Sequence, residues 1–160
     1  MWIPFLILLL TCVTWRRSQF ASLNLSFLPL FAINLNLQPG SILRLVGDIS
    51  SNAYQFTIAL NNIDNSTALH FTARFNYLRD HNKIVCNTRN NGKWGKEIRQ
   101  NYFPFLKGIR VEIFIAFQGT YFKIKLPDGY EFSVPNRNEI TLIETLGVSG
   151  DIIIRALSFE

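Results

Sequence analysis

From about residue 22 onward the chain consists of short runs alternating apolar and polar residues, with turn residues between them and no stretch of helical period. Tyr54-Gln55-Phe56-Thr57-Ile58-Ala59-Leu60 alternates large apolar with small or polar side chains. Val111-Glu112-Ile113-Phe114-Ile115-Ala116-Phe117 puts Val111, Ile113, Ile115 and Phe117 on one face. Tyr121-Phe122-Lys123-Ile124-Lys125-Leu126 points Phe122, Ile124 and Leu126 inward and both lysines outward. Successive strand side chains face opposite ways, so a period of two predicts half-buried strands. Between them, Asn91-Gly92 and Asp128-Gly129 are hairpin signals, because their central residues tolerate positive φ. Pro39-Gly40 opens one strand and Gln118-Gly119 joins two others. About 10–12 strands at this spacing, with no helix to cover a sheet, predict an all-β, two-sheet sandwich or a barrel. There is no internal repeat or linker, so one domain is expected over residues 22–160.

Composition adds several exclusions. Hydrophobic residues make up 48% of the chain, charged residues 17%, and there are 14 phenylalanines, ample for a β-rich core. The formal charge of +5 comes from Lys and Arg scattered singly apart from Arg16-Arg17. A nucleic-acid binder would gather them into a patch, so no nucleic-acid partner is expected. Cys12 and Cys86 do not make a disulfide framework, and Cys86, inside an apolar strand pattern, reads as a buried free thiol. His70 and His81 are the only histidines and no Cys/His cluster has metal-ligand spacing, so neither metal nor cofactor is expected. His81, between Asp80 and Asn82, reads as a loop residue. Residues 1–21 differ from the rest, because Trp2 to Trp15 is an almost unbroken apolar run followed by Arg16 and Arg17. It is short of the roughly 20 residues a spanning helix needs. It resembles a signal-peptide core, yet no Lys or Arg precedes it, and Gln19 occupies a position where a cleavage site takes a small residue. A targeting segment and a non-functional extension both remain open.

Candidate chemistry lies in the middle of the chain. In Leu69-His70-Phe71-Thr72-Ala73-Arg74-Phe75-Asn76, alternation makes one face of Leu69, Phe71, Ala73 and Phe75 and an opposite face of His70, Thr72, Arg74 and Asn76. That second face is rich in directional hydrogen-bonding groups. Next come Asn87, the Asn90-Asn91-Gly92 turn, Trp94, Glu97 and Arg99, which a hairpin would bring onto neighbouring strands. Arginine forks and a carboxylate fix paired hydroxyls, and a flat aromatic covers the apolar face of a sugar. The pattern therefore fits a neutral, hydroxyl-rich ligand. It also fits a solvent-facing sheet with an Arg74–Glu97 ion pair and a partly buried Trp94.

Resemblance to a known family favours the first of these. Ile84 to Phe105, IVCNTRNNGKWGKEIRQNYFPF, resembles the galectin signature V-x-N, W-x-x-E-x-R and F-P-F. His70-Phe71-Thr72-Ala73-Arg74-Phe75 resembles the family's H-F-N-P-R-F, Leu37-Gln38-Pro39-Gly40 its L-x-P-G, and Val134-Pro135-Asn136-Arg137 its F-P-N-R. Gly150-Asp151 before Ile152-Ile153-Ile154 is similar to its closing strand. The resemblance spans about residues 30 to 160 and implies a two-sheet antiparallel, jelly-roll-like sandwich that binds β-galactosides without metal. It implies that His70 and Arg74 bind the axial galactose hydroxyl at carbon 4, that Asn87 and Glu97 bind the hydroxyl at carbon 6, and that Trp94 stacks under the ring. Arg74, Glu97 and Arg99 match a charged network reaching the adjoining sugar. Three positions depart. Thr72 stands for the family's Asn, Ala73 for its Pro, and Leu78 for a histidine found in some members. Losing one neutral hydrogen bond costs about 0.5–1.5 kcal/mol, roughly two- to tenfold in affinity, so weakened or shifted galactoside binding is expected at Thr72.

The alternative is a galectin-fold structural or protein-interaction module with weak or altered sugar binding, which Thr72 and Ala73 keep open. An enzyme is not expected. A glycosidase needs two carboxylates, and Glu97 is the only one read into the polar cluster. His70 has no nearby nucleophile motif. The partners implied are β-galactoside-bearing glycans on glycoproteins or glycolipids and, as in many members of the family, a second copy in a homodimer. The implied location is the cytoplasm and, outside the standard secretory route, the cell exterior. Conventional secretion would follow if residues 1–21 act as a signal peptide, and only then would Asn24-Leu25-Ser26 and Asn65-Ser66-Thr67 serve as glycosylation sites.

Overall fold

The computed structural model describes residues 29–64 and 66–160. The apolar segment 1–21 and the proposed start of the domain at residue 22 lie outside the described residues, as do Cys12, the Asn24 motif and Asn65. The described residues form twelve strands and no helix: β1 (Leu30–Ala32), β2 (Ile42–Ile49), β3 (Gln55–Asn61), β4 (Thr67–Tyr77), β5 (Asp80–Asn90), β6 (Lys93–Trp94), β7 (Ile98–Gln100), β8 (Arg110–Phe117), β9 (Tyr121–Lys125), β10 (Glu131–Pro135), β11 (Thr145–Gly150) and β12 (Ile152–Phe159). They make two sheets, one ordered β1-β11-β3-β4-β5-β6 with β7 also pairing β5, the other β10-β9-β8-β2-β12. Every pairing is antiparallel. The expected two-sheet sandwich is what forms.

Alternation dictates the core. Phe56, Ile58 and Leu60 from β3, Leu69, Phe71, Ala73 and Phe75 from β4, and Ile84 and Cys86 from β5 turn inward. They meet Leu43 and Leu45 from β2, Val111, Ile113, Ile115 and Phe117 from β8, and Phe122 and Ile124 from β9. Burying each large side chain stabilises the fold by about 1.5–3 kcal/mol. Phe105, after β7, caps the aromatic cluster, its ring edge-on to Phe56 at 5.3 Å. Cys86 is free and fully buried, as expected, and burial alone pushes its thiol far above the ordinary range.

The hairpin signals behave as read. Asn91 (φ 47°) and Gly92 (φ 76°) join β5 to β6 with both central residues left-handed, as a type I′ turn requires. Gly119 and Gly129 also have positive φ, between β8 and β9 and between β9 and β10. Gly150 (φ 91°) is constrained by space as well, because a Cβ there would lie 2.5 Å from the Gln55 carbonyl oxygen.

Two expectations need correction. Tyr54 does not continue the alternating run, because it precedes β3 and is 59% exposed. The Asp151 carboxylate accepts the backbone N–H groups of Tyr54 and Gln55, at 2.7 and 3.1 Å, and holds the chain there. His81 is not in a loop; it is the second residue of β5, exposed and paired with Asn76. The β4–β5 connection is only Leu78-Arg79, both with positive φ (49° and 67°), a tight turn made without the Gly or Asn that would have announced it.

Candidate functional site

The polar side chains singled out in the sequence converge on the outer face of β4, β5, β6 and β7. On β4, His70 and Arg74 are partly exposed, while Thr72 between them is buried. Asn87 stands opposite His70 on β5 and is 9% exposed. Its Nδ2 donates to the Gly95 carbonyl at 2.9 Å and its Oδ1 accepts the Thr88 N–H at 2.8 Å. The amide is thus fixed, with one N–H and one lone pair left for a ligand.

Plain alternation would put Trp94 and Arg99, five residues apart, on opposite faces. The register shows why they share one. β6 pairs Arg89 with Trp94, and β7 pairs Cys86 with Ile98 and Val85 with Arg99. Three steps along β5 therefore match four along its partner, and the extra residue falls between Trp94 and Ile98. Gly95 lies in this break. A Cβ there would come within 3.2–3.3 Å of Arg137, Asn87 and Thr88 side-chain atoms. The indole that results is 50% exposed. The His70 ring meets it edge-on at 4.9 Å, and the Arg89 guanidinium lies 5.4 Å from its centroid.

Arg74 donates to Asp80 at 2.6 Å and lies 3.8 Å from Glu97, while Arg99 pairs with both Asp80 and Glu97. The expected Arg74–Glu97 pair exists but is the looser of Arg74's two. The reading of Glu97 as the only carboxylate of the cluster was wrong, because Asp80 bridges both arginines. Asp80 is an odd number of residues from Asn87, so alternation assigns it to the other face, yet from the first position of β5, opposite Tyr77 and directly after the two-residue turn, its carboxylate reaches the Arg74 guanidinium. Arg89 was also missed, although its spacing of two from Asn87 could have revealed it. Burial pushes the Asp80 carboxyl up, but hydrogen bonds from Arg74 and Arg99 and their charges outweigh it and hold the group below its ordinary value. Burial, then the charges of Arg74 and Arg89, lower the His70 pKa, so its imidazole is neutral at pH 7.

An array of donors, acceptors and a half-exposed indole on one sheet of a β-sandwich is an arrangement of the lectin class. The profile of the galactoside-binding lectin family matches residues 30–159. Galectin-1 of Bos taurus is 47% identical over 131 residues, covering 82% of this chain and 97% of that protein. CG-16, a homodimeric agglutinin from chicken liver, superposes with a TM-score of 0.79 at 37% identity, over 83% of this chain and 100% of that one. A toad ovary galectin in complex with thio-digalactose gives 0.79 at 32% identity, over 82% and 98%. This chain belongs to the galectin family.

Proposed function

We propose that this chain binds β-galactosides of the lactose or N-acetyllactosamine type, without metal and without breaking a bond. The observation that carries the reading is the half-exposed Trp94 indole bordered by His70, Asn87 and the Arg74–Asp80–Arg99–Glu97 network. The indole stacks on the apolar face of galactose. His70 and Arg74 hold the axial hydroxyl at carbon 4, Asn87 and Glu97 that at carbon 6, and Arg99 with Glu97 reaches the second sugar. The Arg74 Nε–H is buried without a hydrogen-bond partner among the described residues. An unpaired buried donor of this kind costs about 1–3 kcal/mol. The thio-digalactose complex of the toad ovary relative supports the ligand class. Both carboxylates are ion-paired to arginine, the wrong environment for a general acid. Retention on immobilised lactose and elution by free lactose test the proposal; a protein that passes straight through would be the interaction module instead.

Thr72 limits the affinity. Its hydroxyl lies 3.2 Å from Thr57 Oγ1 and 3.3 Å from His70 Nδ1, so it is engaged below the ligand. Thr72→Asn keeps an acceptor for His70 and adds an amide donor. Calorimetry is expected to show lactose binding roughly two- to tenfold tighter.

Homodimerisation is the second part of the reading. β1 and β12 end their sheets, and exposed Phe31 and Ile33 at the first edge and Phe159 at the second offer apolar contact. Two sites on one particle gain avidity over either alone. Sedimentation is expected to show a dimer that Phe31→Asp dissociates. For location, the proposal is the cytoplasm and, outside the standard secretory route, the cell exterior, with conventional secretion if residues 1–21 are a signal peptide. Fractionation with amino-terminal sequencing reports on this.

A further inference from the structure

Four side chains on the outer face of β3 and β4 form a hydrogen-bonded line beneath the ligand site. The register sets Gln55 opposite Arg74, Thr57 opposite Thr72 and Ala59 opposite His70, so Gln55 and Thr57 stand beside the site without belonging to it. The Thr57 hydroxyl donates to Gln55 Oε1 at 3.1 Å. Thr57 Oγ1 and Thr72 Oγ1 are 3.2 Å apart, and Thr72 Oγ1 is 3.3 Å from His70 Nδ1.

A hydroxyl has one proton, so a line of this kind has a direction. The amide oxygen of Gln55 can only accept, which uses the Thr57 proton. Thr57 Oγ1 then accepts from Thr72, which uses the Thr72 proton. Thr72 Oγ1 must in turn accept, and His70 Nδ1 is the group that can donate to it. His70 Nε2 has no hydrogen-bond partner among the described residues. The neutral state of the ring, set by burial and by two flanking arginines, means that protonating Nδ1 leaves Nε2 bare.

We propose that Gln55, Thr57 and Thr72 are positioning residues that hold His70 in the Nδ1–H tautomer, so that Nε2 meets the ligand as a hydrogen-bond acceptor. The ligand half of this statement rests on the galactoside reading; the tautomer does not. The site then requires a ligand hydroxyl that gives its proton to His70 while its oxygen takes one from Arg74. An axial hydroxyl meets both demands. A fluorine in its place meets only the second.

The test is long-range proton–nitrogen NMR of the full chain, with His81→Gln separating the two histidine signals. In the wild type, Nδ1 is expected to carry the proton and Nε2 to be bare. Thr57→Val removes the acceptor for the Thr72 proton, freeing Thr72 to donate to Nδ1, so the proton population shifts to Nε2. Thr57→Ser restores the wild-type pattern. An Nε2–H tautomer in the wild type, or a Thr57→Val spectrum with an unchanged tautomer, overturns the proposal. Lactose whose galactose 4-hydroxyl is replaced by fluorine is expected to bind about tenfold or more weakly, and equal binding overturns the acceptor role. If lactose itself does not bind while Nδ1 carries the proton, the relay stands and the galactoside reading fails.

Discussion

Asp80→Ala is expected to lower the unfolding free energy by about 3–5 kcal/mol and to weaken lactose binding in the same protein. The side chains of Asp80 and Arg74 are only 11% and 12% exposed, so removing the carboxylate leaves a nearly buried guanidinium without its closest counter-charge. Arg99 loses the same partner, and the two forks that the proposed function assigns to sugar hydroxyls lose their common anchor. Urea titration measures the first effect and calorimetry with lactose the second. The pH dependence has a definite sign. The folded-state pKa of Asp80 is lowered, so the native state binds fewer protons than the unfolded state as pH falls. Its contribution is complete above the ordinary value of about 4 and is lost as pH drops through the lower folded value. The stability gap between wild type and Asp80→Ala is therefore full at neutral pH and closes in acid. A variant as stable as the wild type at pH 7 would show that the network does not support the fold.

Trp94→Ala separates binding from folding more cleanly. The indole is half exposed, edge-on to His70 and beside Arg89, so its loss should alter stability by about 1 kcal/mol, less than the loss of a core aromatic. The apolar face it offers to a pyranose is worth about 1.5–3 kcal/mol, that is roughly ten- to more than a hundredfold in affinity. Lactose is expected to change the fluorescence of the wild type, and the variant to lose both that response and retention on immobilised lactose. Unchanged lactose affinity in a folded Trp94→Ala protein would sink the proposed function.

The features legible in the sequence share a cause. The inward sets of β4, β8 and β9 follow from a period of two, which depends on backbone geometry alone. Asn91-Gly92 declares its turn because few residue pairs tolerate two positive φ values. The clustering of His70 with Arg74 on one strand, and of Asn87 two strand positions from Arg89, is likewise a property of local spacing. The resemblance to a family supplied the ligand class that these residues alone left open.

Tertiary structure decided the rest, because it depends on pairing between distant segments. The extra residue around Gly95 returns Trp94 to the face that Arg99 occupies, and no local pattern encodes that register shift. Asp80 enters the site through a tight turn at Leu78-Arg79 whose residues do not favour it, held instead by the strands on either side. The line from Gln55 to His70 exists only because β3 pairs with β4 in one register and not in the next. The sequence by itself set which side chains face outward on each strand. Only the folded sheet could set which of them meet, since that depends on hydrogen-bond registers fixed by the whole core.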